Sequence, residues 1–438
     1  MRSAPVENRG VALILVLVTI AILTSIGVDF SYSSRVSLKL AENLRDETRA
    51  EYLARSAINL SRLLLHFQKQ VDQLGGQATA LLTRAAGGPA PQPAAPVPGG
   101  LAGLPAGAPA SNNLGIRLWQ VVPIDSNAFS ALLSGNITGL EAAKADAAAG
   151  APARPREPRA VTHAFGAFDG SYHARIADEN SRINVQALDN VGNTPMAVLT
   201  QLRAMTADPK YDFIFDEEDA NHDRVRRDDV ILAMKDWIDI DETGTALDPG
   251  NPQRPFVNGF SDENSAYSRY DPRYVAKNGR FDSLEELYMV RGVNDRYMAA
   301  FGDRLTIWPD INSKLNVNTD DPQQMLTNIL IAAFNANDPA LRDPRLLQTI
   351  LQEIQLKKMF SFFGLSAQDF VAILQANGIR LRPEIDSRQG GNPTNLFGAT
   401  SDTFRITATG RVGRIEKQLT AVVRYDDGLG KMLYWKED

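Results

Sequence analysis

Asp239, Asp241, Thr243 and Gly244 set out D-x-D-x-T-G, a spacing in which alternate side chains of a tight loop can converge on a hard cation. It is the first half of a calcium loop. The second half is missing: position five of an EF-hand falls on Thr243 rather than Asp or Asn, and position twelve falls on Gly250, where a bidentate glutamate belongs. A site at this loop therefore needs ligands from a distant segment, and the stretch SDENSAY offers Asp262, Glu263 and Asn264. A second acidic cluster runs through Asp216, Glu217, Glu218 and Asp219 to Asn221 and Asp223, but Arg224 occupies the sixth position of its D-x-N-x-D run.

Other chemistry has little to stand on. The absence of cysteine excludes disulfides, thiolate nucleophiles and thiolate zinc sites. Histidine is confined to His66, His163, His173 and His222, far apart in the chain, so any metal here should be held by oxygen. No G-x-S-x-G, H-E-x-x-H or Walker signature appears, and the Asp and Glu pairs are too numerous to single out an acid/base couple. A formal net charge of -6 argues against a general phosphate-backbone binder. The segment from Leu284 to Leu305 resembles a helix-hairpin-helix unit with Gly292 in its turn, yet its acidic flanks favour helix packing over nucleic acid.

The elements that must carry these residues begin at the N-terminus. A polar leader ends in Arg9-Gly10, and Val11 to Val28 then runs without a charge until Asp29. As a helix this run spans about 27 Å, close to the hydrocarbon thickness of a bilayer. Arg2 and Arg9 before it place the N-terminus in the cytoplasm and the body outside. Leu38, Leu40, Leu44, Tyr52, Leu53, Ala57, Leu60, Leu64 and Phe67 follow largely at three- and four-residue spacing, predicting an amphipathic continuation to residue 74, where Gly75-Gly76 stops it.

Beyond the helix, 75–112 is a Pro/Gly/Ala-rich loop and 141–160 a second low-complexity insertion. Residues 116–124 and 171–185 read as strands, the latter turning at an Asp/Asn cluster. Residues 186–310 form the most helical block, more helices follow LNVNTDDP and Ser366, and FRITATGRVGRIEKQLTAVVRY is a hairpin turning around Gly410–Gly413. Strands on both sides of helices predict an α+β chain in which a helical domain interrupts a sheet domain.

The string RGVALILVLVTIAILTSI, with its leader glycine and amphipathic sequel, resembles a type IV prepilin, and in particular the K-type minor pseudopilin of type II secretion (general secretion pathway protein K family). The phrases ADENSRINV, MKDWIDIDE, RYDPRYVAKNGRFDSLEELYMVRGV and KLNVNTD also resemble that family. The resemblance implies a pilin-like α+β fold, with a long N-terminal helix on an antiparallel sheet and a large inserted all-α domain. It divides the chain into leader (1–10), transmembrane helix (11–28), amphipathic continuation (29–74), loop (75–112), first sheet part (113–185), inserted domain (186–310) and second sheet part (311–438).

It further implies cleavage between Gly10 and Val11 by prepilin peptidase, N-methylation of Val11, and calcium bound by Asp239, Asp241 and Glu263. Leu15 stands at the fifth mature position, where most pilins carry glutamate. A subunit without that carboxylate needs no neighbouring amine ahead of it, which suits a filament tip. The implied partners are I-type and J-type minor pseudopilins, the major pseudopilin and the inner-membrane assembly platform. The implied role is structural, not enzymatic: a single-pass inner-membrane subunit with a periplasmic body that caps or starts the pseudopilus. Two other readings share part of this pattern. One is a minor pilin of a type IV pilus or competence system; the other is a membrane-anchored periplasmic hydrolase, which would need a concave polar pocket.

Overall fold

The computed structural model describes residues 9–85, 119, 122–126, 170–190, 194–218, 224–248, 250–251, 254–319, 322–335, 338–360, 364–425, 428 and 430–438. Most of the leader, the greater part of the 75–112 loop and the whole 141–160 insertion lie outside these residues.

Helix α1 (Arg9–Ala85) runs unbroken for 77 residues. From Leu13 to Val28 it is exposed all round, with Leu13, Leu15, Leu23 and Val28 each more than three-fifths accessible. Only a lipid or protein surround can cover so much apolar surface. Thr19 and Thr24 donate their hydroxyls to the carbonyls of Leu15 and Ile20 at 2.6 and 2.7 Å, so their polar groups are satisfied within the helix. The helix does not end at Gly75-Gly76 as expected but continues to Ala85. Each glycine costs about 1 kcal/mol relative to alanine but leaves the hydrogen-bond ladder intact, and the good helix formers of Gln77–Ala85 carry it on.

The second half of α1 lies on a five-stranded antiparallel sheet ordered β1 (Ile124–Asp125), β2 (Ser171–Asp178), β9 (Thr403–Val412), β10 (Ile415–Arg424), β11 (Lys431–Glu437). The amphipathic pattern meets the sheet only in part: Ala57 is buried there and Leu60 and Leu64 pack against the same core half-buried. The fully buried residues of the contact are Ala50, Ala54, Ala57, Ile58, Ser61 and Leu65, at helical spacing, while Leu44 and Tyr52 stay exposed. Small side chains let the helix approach closely. A Cβ on Gly410 would lie 1.9 Å from the Ala50 carbonyl oxygen, so glycine is required at that contact. Alternate residues Ala174 and Ile176, Phe404, Ile406 and Ala408, and Leu419, Ala421 and Val423 complete this core.

The expected C-terminal hairpin forms between β9 and β10, with Gly413 at φ +57 in its turn. Strand β11, which adds the sheet's far edge, was not anticipated. Of the strand expected at 116–124, Ile124 enters the sheet; Trp119 packs edge-on against Phe404.

Two further bodies are inserted between β2 and β9, each with a short parallel pair: β3 (Ile183–Asn184) with β6 (Leu305–Thr306) in the first, and β7 (Leu315–Asn316) with β8 (Phe397–Gly398) in the second. The first has its core between Ile183 and Ile307 and holds α2 (Thr194–Thr206), α3 (Asp212–Asp216), α4 (Arg227–Ile238) and α5 (Asp295–Phe301). It also contains a hairpin of β4 (Thr243–Leu247) and β5 (Phe256–Asp262), so its helices are joined by strand structure. Leu284–Met289, read as helical, is a 3-10 turn, and Gly292 follows it at φ +83. A Cβ there would meet Val230 and Val225 at 2.8 and 2.9 Å, and Leu287, Val290 and Tyr297 around it are buried. This segment is packed into a core, as its acidic flanks suggested.

The second body lies in the stretch grouped with the second sheet part, and the helices expected after LNVNTDDP and Ser366 form there. Its core runs from Val317 to Phe397 and is built on α6 (Pro322–Ala332), α7 (Pro344–Phe360) and α8 (Ala367–Ala376). The sheet therefore resumes at Thr403 rather than at 311, because these amphipathic helices bury their apolar faces against one another. The architecture is α+β: a long N-terminal helix on an antiparallel sheet that carries helical insertions.

Candidate metal centre

Helix α4 ends at the acidic loop, with Asp239 as its C-cap. Its carbonyl end is the negative pole of the helix dipole, a poor place for carboxylates. Asp236 and Asp239 nonetheless meet Glu263 there, with one carboxylate oxygen from each within 4.8 Å of the others. Two oxygens bound to one calcium at about 2.3–2.6 Å can be separated by about 5 Å at most, so the spacing suits a single hard cation.

The three side chains reach the site by different routes. Asp236 and Asp239 are three apart on α4, hence on one face. Asp236 Oδ1 accepts the Thr245 amide at 2.8 Å, which ties β4 to the helix. Asp239 Oδ2 accepts Lys235 Nζ at 2.7 Å, and Lys235 also donates to Asp189 at 2.8 Å. Glu263 arrives from the end of β5, where Asp262 caps the Asn264 amide at 2.9 Å and starts a 3-10 turn.

Satisfaction of the oxygens separates this cluster from a set of surface acids. Glu263 and Asp239 are each only 6% exposed. Both Glu263 oxygens and Asp239 Oδ1 are buried and accept no hydrogen bond, and Asn278 Oδ1 is left in the same condition. Orphaned buried oxygens are costly, and a bound cation is the group that would satisfy them together. Burial, reinforced by the charges of Asp239, Asp236 and Asp241, pushes the Glu263 carboxyl up to about 7; the neighbouring Asn278 side chain offsets this only in part. Burial also raises the carboxyls of Asp236 and Asp239, against the pull of the Thr245 amide and Lys235 respectively. Residues present thus fit an oxygen-liganded cation: Asp236, Asp239 and Glu263, with Asn278 beside them.

Of the expected ligands, the fold brings Asp239 and Glu263 together. Asp241 lies outside the three-carboxylate group. It is exposed, its Oδ1 accepts the Thr243 amide at 2.8 Å, and its carbonyl accepts Asn278 Nδ2 at 2.8 Å. It shapes the loop and contributes charge. Asp236 completes the three-carboxylate group, and the i, i+3 spacing to Asp239 was the signal available for finding it. Asp262 and Asn264 are committed to turns, Asn264 Oδ1 accepting the Ala276 amide at 2.9 Å.

In the second acidic cluster Asp216 pairs with Arg224 at 3.0 Å and Glu217 with Arg296. Gly10 and Val11 lie within α1, and Leu15 is exposed on its apolar surface. Trp237, read as a packing residue, is buried among Tyr267, Tyr274 and Phe281, and its indole donates to Glu286 at 3.0 Å. His173 is exposed on β2 and His163 lies outside the described residues.

Two cavities lie where the bodies meet. One of about 180 Å³ is lined by Ser181, Arg182, Asp303, Arg304 and Gln324. A narrower one of about 60 Å³ runs between Asn184 and Leu315. Ser181 Oγ donates to the Asp178 carbonyl at 2.9 Å, Ser313 Oγ has no hydrogen-bond partner, and no histidine lines either cavity.

The site and scaffold together define an α+β protein with an N-terminal helix long and apolar enough to cross a membrane and a carboxylate cluster in its first helical body. No family model and no curated protein matches the chain. Among solved structures, a chain of the GspK-GspI-GspJ complex from the enterotoxigenic Escherichia coli type 2 secretion system is similar. It has 16% identity and a TM-score of 0.41, covering 62% of this chain and 80% of that one.

Proposed function

We propose that the chain is a K-type minor pseudopilin, a structural subunit at the tip of a type II secretion pseudopilus that starts filament assembly with I-type and J-type subunits. The supporting observation is the division of labour along α1. Its first part is apolar all round and covered by nothing in the monomer, whereas its second part is fixed to the sheet by Ala50, Ala54, Ala57 and Ser61. A plain membrane anchor would need no such rigid continuation. A filament stave needs both, because force and register pass from the bilayer to the body through one helix.

In this reading the N-terminus is cytoplasmic, the body periplasmic, and Leu15 removes the requirement for a neighbour ahead. Calcium binds Asp236, Asp239 and Glu263 and locks the β4–β5 hairpin to α4; it supplies charge neutralisation and coordination, not catalysis.

Mass spectrometry of the native N-terminus is the primary test. Cleavage between Gly10 and Val11, with a methylated Val11, is the expected result; an intact Met1 would overturn the reading. Co-purification then separates the two filament classes: I- and J-type pseudopilins are expected, and type IV pilus subunits in their place would move the chain to that system.

A further inference from the structure

The end of β2 carries two adjacent carboxylates whose side chains go to different bodies. Asp178 is the last residue of β2 and Glu179, whose amide still donates to the Thr403 carbonyl at 3.0 Å, continues its extended direction, so the two side chains diverge from one point of the chain. Glu179 is completely buried and accepts a hydrogen bond from Thr306 in β6 (Leu305–Thr306) of the first helical body. It also pairs with Arg405 of β9 at 2.9 Å and with Arg182 at 3.5 Å. Asp178 turns the other way. Its Oδ2 accepts Asn316 Nδ2 at 3.2 Å, from β7 (Leu315–Asn316) of the second helical body, and Ser401 Oγ at 2.6 Å.

Asn180 completes the joint. Its side chain donates to Asp402 Oδ1 at 3.0 Å and accepts the Thr403 amide at 2.9 Å, binding the exit of β2 to the entry of β9. The whole route by which the chain leaves the sheet and returns to it is thus held by three consecutive side chains.

We propose that Asp178 and Glu179 form a two-way clamp that sets the orientation of each helical body on the sheet independently. The physical reason is the difference between apolar and ionic contact. Apolar surfaces hold bodies together with little directional preference, whereas a buried carboxylate with several donors is satisfied in one geometry. Removing the carboxylate charge leaves Arg405 and Arg182 uncompensated on the Glu179 arm and weakens the acceptor for Asn316 and Ser401 on the Asp178 arm, so the body each held departs from that geometry. The clamp does not depend on the chain being a pseudopilin, and its test can fail without touching that reading.

The chain has no cysteine, so spin labels can be placed without background. Exposed sites serve each body: Lys210→Cys on the first, Gln352→Cys on the second and Glu416→Cys on the sheet. Pulsed electron paramagnetic resonance on the full chain in detergent reads the distances 210–416 and 352–416. Glu179→Gln should widen the first distribution by roughly twofold and leave the second unchanged, and Asp178→Asn should do the reverse. Should Glu179→Gln fail to fold, Thr306→Val removes the same link from the opposite side and should also widen only the first distance. Unchanged distributions in these variants, or equal widening of both distances by either carboxylate variant, overturn the clamp.

Discussion

Replacing Glu263 by glutamine keeps the shape of the side chain and removes a charge that the metal-free fold accommodates badly. The Glu263 carboxyl moves from 4.5 to about 7 on folding. At about 1.4 kcal/mol per pH unit, this interval corresponds to about 3 kcal/mol of lost stability when the group is ionised without a cation. The sign follows from the direction of the shift. Below pH 4.5 the carboxyl is protonated in both states and the penalty is absent. It grows as pH rises through 4.5 and is complete above about 7. The raised carboxyls of Asp236 and Asp239 act in the same sense.

Chelator-treated wild-type protein should therefore lose stability between pH 4.5 and 7, and calcium should restore it most strongly at the alkaline end, where the ligands are ionised. At 100 times its dissociation constant, calcium would add about 2.7 kcal/mol. Glu263→Gln should cross over: more stable than wild type in chelator at pH 8, by up to about 3 kcal/mol, and less stabilised by calcium. Thermal melts across pH with and without calcium, alongside calcium titration calorimetry, measure all four states. A variant less stable than wild type in chelator at pH 8, or one with undiminished calcium binding, would refute the reasoning.

Two other substitutions probe the scaffold. Gly410→Ala places a methyl 1.9 Å from the Ala50 carbonyl and 2.8 Å from the Ala54 amide nitrogen, so α1 must shift off the sheet; a loss of about 1–3 kcal/mol or more is expected in thermal unfolding, and an unchanged melting temperature would contradict the close packing. Ile20→Arg puts a charge at the middle of the exposed apolar run at about 2.5–3.5 kcal/mol, and membrane fractionation should show reduced insertion while the circular dichroism of the body is retained; full membrane retention would count against the run as the anchor.

The apolar helix was legible because an uninterrupted apolar run needs no tertiary context to be recognised. Strand β2 and the β9–β10 hairpin were legible for a similar reason, since alternation and a glycine turn are local signals. Local signals misled where long-range packing decided the outcome. The amphipathic pattern of α1 found Ala57, Leu60 and Leu64 at the sheet but not the tightest contacts, Ala50, Ala54 and Ser61, which depend on Gly410 bringing the two backbones together. Strand β11 was missed, and the helices read between β7 and β9 were grouped with the sheet part rather than as a body with its own core, because neither could be settled without knowing which faces meet.

The acidic site divides along the same line. Sequence alone determined that any metal here would be held by oxygen, and that the D-x-D loop could not close a site without a distant acid. Family resemblance pointed to Asp239 and Glu263. The same resemblance pointed to Asp241, but the tertiary structure places Asp236 in the three-carboxylate cluster and leaves Asp241 outside it. Spacing sets which residues share a helix face, but Asp241 spends its oxygens on a turn and stays in water, whereas Asp236 is drawn inward by the Thr245 amide. Residue type makes a carboxylate available; burial and the absence of any other partner decide which carboxylates need a cation.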